Sequence, residues 1–199
     1  MPILGTDAYR FSLMSALADA RASVSLISAF ITVPGIEWVL EHLSPSVTSL
    51  RVLARWNCGD LVAGASDLEV YTILNERGAH FFIMSDLHAK ISLVDDRTLL
   101  LGSANLTNFG LRLVPGGNRE IGISISPTTE DIQVINTLFD EAVELYRRSR
   151  QAGVTPRSSV DCLIAACALR HGLTIVHRDR DFSGLARISS LAERDIQHE

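Results

Sequence analysis

Residues 88–105 read HAKISLVDDRTLLLGSAN, and the alternation in this stretch decides the fold. Successive side chains of a β-strand point to opposite faces, so His88, Lys90 and Ser92 share one face while Ala89, Ile91 and Leu93 turn into a core. That geometry aims an imidazole and an ammonium at one spot. A second strand over 98–101 returns beside the first through Asp95-Asp96-Arg97 and delivers Ser103 and Asn105 from the turn at its end. Polar groups then converge where a phosphate fits. Asp95 lies an odd number of residues from His88, off the His88 face of a regular strand, and is expected to support the turn or its packing.

The run resembles the HxKxxxxDxxxxxxGSxN signature of the phospholipase D superfamily, matched at every defined position. A hydrophobic strand over 79–84 precedes it. Asn118-Arg119-Glu120 follows and opens another strand over 121–125, and nuclease-like members similarly carry a glutamate at this later point. The resemblance implies that His88 is the nucleophile of a covalent phosphohistidine route, which splits one hard displacement into two easier ones. It further implies that Lys90 and Asn105 hold phosphate oxygens, Ser103 adds a hydrogen bond and Glu120 orients a histidine through its second ring nitrogen. Superfamily members take the general acid from a second copy of the motif. No other histidine of this chain is followed two residues later by lysine, so a homodimer sharing one site across a two-fold axis is expected. No cofactor is required on this reading.

Composition sets the outer limits. A chain of 199 residues with 47% hydrophobic content is ample for a packed core. No apolar run reaches bilayer length, and MPILGTDAYR lacks the basic and hydrophobic regions of a secretory signal, so a cytoplasmic protein without membrane attachment is expected. Cys58, Cys162 and Cys167 are odd in number and lack zinc-site spacing, and they read as reduced thiols. The net charge of −5 does not advertise tight nucleic-acid binding, so any such surface must be local.

Before the motif, helices are expected over 9–21, 35–43 and 66–77, with Thr6 or Asp7 capping the first, Pro34 opening the second and Gly78 stopping the third. Strands over 24–31 and 50–54 lie between them, the latter carrying Arg55, Trp56 and Asn57 into a loop with Gly59 and Gly64. Alternating strands and helices indicate an α/β layered sheet flanked by helices, with strand ends carrying the site. The segment LTNFGLRLVPGG after Asn105 is either a mobile cover over substrate or a plain connector. From Thr128, which with Asp131 resembles a capping pair, a long helix shows an apolar stripe of Ile132, Ile135, Phe139, Ala142, Val143 and Tyr146. Arg147, Arg148, Arg150 and Arg157 form a basic cluster, read first as cations at a helix end and second as a nucleic-acid patch.

The tail carries another resemblance. VDCLIAACALRHGLTIVHRDRDFSGLARI is similar to the carboxyl-terminal part of a PIN domain, the fold of toxin endoribonucleases of bacterial toxin–antitoxin pairs. Asp161, Asp179 and Asp181 stand at acidic positions of that family, whose sites gather carboxylates around a divalent metal. The family's earlier aspartate and glutamate have no counterpart here, so magnesium is expected only if the tail is active, and these three are weak candidates for holding it. The expected division is 1–136, a phospholipase D-like catalytic domain, and 137–199, an incomplete helical/αβ PIN-like fragment with an unpaired strand at 174–177.

The function indicated is a metal-independent phosphodiesterase, an endonuclease acting on nucleic acid, with DNA preferred to RNA and a separate specificity partner for an acidic chain that lacks a reading head. Two alternatives are a PIN-type metal-dependent ribonuclease toxin working through the tail and a phospholipid phosphodiesterase. A noncatalytic binding module would have lost His88 or Lys90, and both are present.

Overall fold

The computed structural model describes residues 2–56, 60–61, 63–84, 86–151, 164–165, 168, 172–187 and 190–196. Asn57, Cys58, Gly59, Arg157, Asp161, Cys162, Ala166, Cys167 and Leu169 lie outside those residues, as do the side chains of Val143, Tyr146, Arg147, Arg148, Arg150 and Asp181.

The elements in chain order are β1 (Leu4–Gly5), α1 (Thr6–Asp19), β2 (Ser23–Ser28), α2 (Val33–His42), β3 (Ser49–Ala54), α3 (Glu69–Glu76), β4 (His80–Ile83), β5 (Lys90–Val94), β6 (Thr98–Gly102), β7 (Ile121–Ile125) and α4 (Thr129–Gln151). Then follow β8 (Thr174–His177), α5 (Arg180–Ala186) and β9 (Ala192–Asp195). The first seven strands form one sheet in the order β1-β7-β6-β5-β2-β3-β4. Here β2, β3 and β4 run parallel, and β5, β6, β7 and β1 continue the sheet antiparallel.

Both faces of the sheet are covered, which is why β2 reads as a nearly continuous buried run rather than an alternating one. Val24, Leu26, Val52, Val94 and Leu100 pack under α1, α2 and α3. Ile27, Leu53, Leu93 and Leu99 pack on the other face under Ile135, Phe139 and Ala142 of α4. Ile91 and Ala89 join that second layer, as the alternation of the motif requires. Ser92 shares the Lys90 side yet is buried, because only the first residues of β5 reach the sheet's open end.

Two local expectations differ. The amino end of α1 has Gly5 as its cap, with no side-chain capping bond; Thr6 spends its hydroxyl on the backbone of Glu120, accepting from its N–H at 2.7 Å and donating to its carbonyl at 3.2 Å. The strand expected to reach Ile31 ends at Ser28, whose hydroxyl bonds Phe30 O at 2.7 Å and Leu106 N at 3.0 Å; Ile31 rejoins only through a single bridge to Leu106. Thr128 and Asp131 cap α4 reciprocally, Asp131 accepting from the Thr128 N–H at 2.8 Å and its N–H donating to the Thr128 hydroxyl at 3.2 Å.

The tail builds its own small core from Ala165, Ala168, Phe182, Leu185 and Leu191, with Ile175 against it. The strand expected to be unpaired is not: β8 pairs in parallel with β9, Thr174 beside Ala192 through His177 beside Asp195. The sequence near residue 192, AERD, carries too little apolar content to announce a strand.

Candidate active site

The site forms at one end of the sheet, where β2, β3 and β6 finish and β5 and β7 begin. Register sets Ser28 beside both Ala54 and Lys90, and Gly102 beside Gly122. Adjacent strands lie roughly 5 Å apart, so residues at this end converge without help from loops. His88 precedes β5 and is exposed. Among the described residues nothing bonds its imidazole. Lys90 donates to the His88 backbone carbonyl at 2.7 Å, which ties the ammonium to the chain at His88. Its pKa is lowered by burial first and by the Arg55 charge second, with Glu120 acting in the opposite direction.

Asn105 is locked through its carbonyl oxygen, which accepts from Phe30 N at 3.1 Å. Its amide nitrogen is thereby left to donate. The turn around it is tight: a Cβ on Gly110 would lie 2.4 Å from the Asn105 carbonyl oxygen, and one on Gly35 of α2 would lie 2.1 Å from the Leu106 carbonyl oxygen.

Ser103 and Glu120 form a clamp. The Ser103 hydroxyl donates to the Glu120 carboxylate and accepts from Ile121 N at 3.1 Å. The other carboxylate oxygen accepts from Asn118 Nδ2 at 3.0 Å. A serine has a single proton to give, so in this arrangement Ser103 offers none to a phosphate. Within one chain Glu120 bonds Ser103 and Asn118 rather than an imidazole, which differs from the expected histidine partner.

Tyr9 supports this corner from α1. Its ring lies against Gly102 and Gly122, where added Cβ atoms would come within 3.0 Å and 2.4 Å of it. Burial, reinforced by the Glu120 charge, pushes its pKa up to about 12. The glycine of the GSxN element thus makes room for an aromatic ring.

Asp95 is set apart from this cluster. Its carboxylate accepts from the backbone N–H of Arg21, Ala22 and Ser23 at 2.7, 2.9 and 2.8 Å, tying the β5–β6 turn to the start of β2. Asp95 and Asp96 both have positive φ, 51° and 53°, a conformation aspartate tolerates better than most residues.

Arg55, which the sequence places at the start of a loop, stands close enough to Lys90 for its charge to act on the ammonium. Its Nε donates to Asp60 Oδ2 at 2.8 Å and its Nη2 to Oδ1 at 3.3 Å, and its guanidinium lies 4.6 Å from the centre of the Phe30 ring. The available signal was its place just after a parallel strand's carboxyl end, where α/β folds collect ligands.

The segment after Asn105 is a pinned connector. Leu111 is buried, Arg10 donates to the Arg112 carbonyl at 2.8 Å, and Asn118 N donates to Phe109 O at 2.9 Å.

In the tail, His177 is buried and both ring nitrogens are engaged, Nε2 with Glu193 at 2.7 Å and Nδ1 with Asp179 N at 3.1 Å. Among the described residues no three His, Cys, Asp or Glu side chains gather as metal ligands. Asp161 and the Asp181 side chain lie outside the described residues, so the described part of the tail brings no magnesium donor set together. No helix among the described residues is long and apolar enough to cross a membrane.

Comparison with known proteins places these features. Residues 13–143 match the family described as cardiolipin synthase, PLD-like domain, and residues 122–188 match the PIN domain. The overlap includes β7 and the start of α4, both of which pack into the first fold. The structure resembles NucT from Helicobacter pylori (14% identity, TM-score 0.55, 72% of this chain and 94% of that one). It also resembles phosphatidylserine synthase from Haemophilus influenzae Rd KW20 (14% identity, TM-score 0.58, 71% of this chain and 36% of that one). Ribonuclease VapC11 of Mycobacterium tuberculosis is 58% identical over 53 residues, 27% of this chain; the chain thus spans 40% of that relative's length.

Proposed function

Because the chain belongs to the PLD-like domain family, we propose that it is a metal-independent phosphodiesterase, an endonuclease that cleaves nucleic acid at a site shared by two copies of the chain. What supports this reading is that Lys90, Asn105 and the Ser103–Glu120 clamp lie at the end of the sheet that carries His88, an exposed residue whose imidazole has no partner among the described residues.

In the proposed reaction, an imidazole nitrogen of His88 attacks phosphorus while the ester oxygen departs, so a P–N bond forms as a P–O bond breaks. The partner's His88, protonated, gives its proton to the leaving oxygen. Now neutral, it takes a proton from water as that water attacks the phosphohistidine and frees the first imidazole. Lys90 and the Asn105 amide hold the non-bridging oxygens, where charge develops. Glu120, aimed by Ser103 and Asn118, lies at the edge where the partner would approach. There Ile3, just before the two-residue edge strand β1, and Ile121 of the neighbouring β7 are exposed, an apolar surface that a second copy would cover.

A DNA substrate is favoured over RNA on the nuclease-like glutamate, a specificity partner would supply sequence recognition, and the compartment proposed is the cytoplasm. The division near residue 136 falls within α4, which makes that helix the joint between catalytic domain and PIN-like tail. The PIN reading keeps two supports, the family match over residues 122–188 and the 58% identity to ribonuclease VapC11 over 53 residues.

The deciding experiment is a cleavage panel of labelled single- and double-stranded DNA and RNA, in EDTA and then in magnesium or manganese. Cleavage in EDTA that His88→Ala abolishes and Asp179→Asn spares is expected. Strictly metal-dependent RNA cleavage that survives His88→Ala would transfer the activity to the tail.

A further inference from the structure

We propose that Arg55 forms a second phosphate subsite, gripping a nucleic-acid backbone phosphate next to the scissile one. The inference rests on the nuclease reading above and names how a polymeric substrate is held. Ala54 ends β3 beside Ser28, and Ser28 lies beside Lys90, so Arg55 leaves the sheet at the same end as Lys90 and two strands away, roughly 10 Å. That separation suits neighbouring phosphates of one strand rather than two oxygens of one phosphate.

The side chain is prepared for such a contact. Asp60 occupies the Nε and Nη2 edge of the guanidinium, and Phe30 supports its face. Nη1 has no partner among the described residues. Phe30 in turn donates its N–H to Asn105 Oδ1 at 3.1 Å, so the aromatic support of Arg55 is tied to the residue assigned to the scissile phosphate. The Arg55 and Asp60 side chains are 20% and 18% exposed, which spares them most of the screening that weakens surface ion pairs.

An ion pair serving only its own loop would gain nothing from proximity to another cation. Arg55 nevertheless lies close enough to Lys90 to disfavour the ammonium. That cost is offset when an anion lies between or along the two, and guanidinium hydrogen-bond geometry suits phosphate oxygens. A single phospholipid phosphodiester leaves Arg55 without a target, whereas a polynucleotide supplies one at each step.

The test uses the full-length protein in two arms. In the His88→Ala background, which binds without turnover, affinity for a short fluorescent oligonucleotide is measured across a salt series, with and without Arg55→Ala. Loss of one phosphate contact lowers the slope of log K against log salt by about 0.7 to 0.9. Arg55→Lys should keep the slope and weaken binding, because it retains the charge and loses the fork. In the otherwise wild-type protein, Arg55→Ala should reduce kcat/KM on the oligonucleotide about tenfold more than on bis(p-nitrophenyl) phosphate, the scale of one charge-assisted hydrogen bond. An unchanged slope with equal losses on both substrates would overturn the subsite and assign Arg55 to support of Lys90. A wild-type protein that cleaves neither substrate refutes the nuclease reading instead, while the salt series still decides whether Arg55 meets a phosphate. A His88→Ala protein that binds no oligonucleotide overturns both.

Discussion

His88 is the residue on which the proposed chemistry turns, and the lack of any bond to its imidazole among the described residues makes the prediction clean. His88→Ala should abolish cleavage and leave thermal melting unchanged, because an exposed imidazole with no described partner contributes nothing measurable to the folded state. Lys90→Ala should lower turnover on the order of a hundredfold, the usual effect of deleting a preorganised donor to a developing anion. Parallel turnover and melting measurements check both, and near wild-type turnover by His88→Ala would sink the phosphohistidine route. Asp95 should behave in the opposite manner. Burial raises its pKa, but the N–H groups of Ser23, Arg21 and Ala22, with Arg97 nearby, outweigh that and leave it below the ordinary 3.8. A depressed folded-state pKa contributes stability that is complete above the unfolded value and lost as pH falls through the folded one. Asp95→Asn should therefore cost about 1 kcal/mol at neutral pH, the lower part of the range for bonds to a charged group because solvent screens this one. The melting difference should shrink below pH ~4 while kcat stays near wild type. Strand parity was enough to place Asp95 off the His88 face. Its three donors at residues 21–23 are remote in sequence, and no local pattern announces them.

At the scale of elements, legibility followed periodicity. The β5–β6 hairpin, α1 and α4 showed their apolar faces openly, and the structure builds them close to the expected positions. Elements held by tertiary bonds were not readable. β1 is two residues long, too short for any period. α3 begins at Glu69 rather than at residue 66 because Ser66 and Asp67 are used elsewhere: Ser66 Oγ accepts from Ile31 N at 3.1 Å and Asp67 Oδ2 from Val33 N at 2.8 Å, so Asp67 supplies the amino end of α2 with its side-chain acceptor. The Gly102–Gly122 pair shows the same logic from the other side, since its need comes from Tyr9 on another element. Gly122→Ala would set a Cβ 2.6 Å from Tyr9 Cε2 and 2.7 Å from the Leu101 carbonyl oxygen. Such overpacking costs about 1 to 3 kcal/mol, or a melting temperature several degrees lower for a chain of this size. Turnover should fall too, because Glu120 immediately precedes β7 and would shift with it. Adding Tyr9→Leu should recover part of the stability, as the ring is the larger obstacle. A double mutant no more stable than Gly122→Ala alone would show that the carbonyl contact dominates.

For the whole molecule the question is how one motif would complete the proposed reaction, which needs both a nucleophile and an acid. A single chain supplies Lys90, Asn105 and the Ser103–Glu120 clamp, yet one imidazole cannot attack phosphorus and protonate the leaving oxygen in the same step. The exposed Ile3 and Ile121 beside β1 give a second copy a surface to cover at the edge that carries Glu120. If the site is shared, each dimer has one centre containing two His88 residues, and both must be present. Mixing inactive His88→Ala protein into wild type, with subunits exchanged by co-expression from two tagged copies, then separates the models by arithmetic. At equal amounts, about a quarter of randomly assembled dimers hold two intact histidines. Activity per total protein should fall to that fraction and follow the square of the wild-type fraction across a titration series. Independent sites would instead give about half and a straight line. Sedimentation at the assay concentration supplies the second readout, with a dimer expected wherever cleavage is observed. A monomer that cleaves at full rate, together with a linear mixing curve, would require the general acid to come from within one chain.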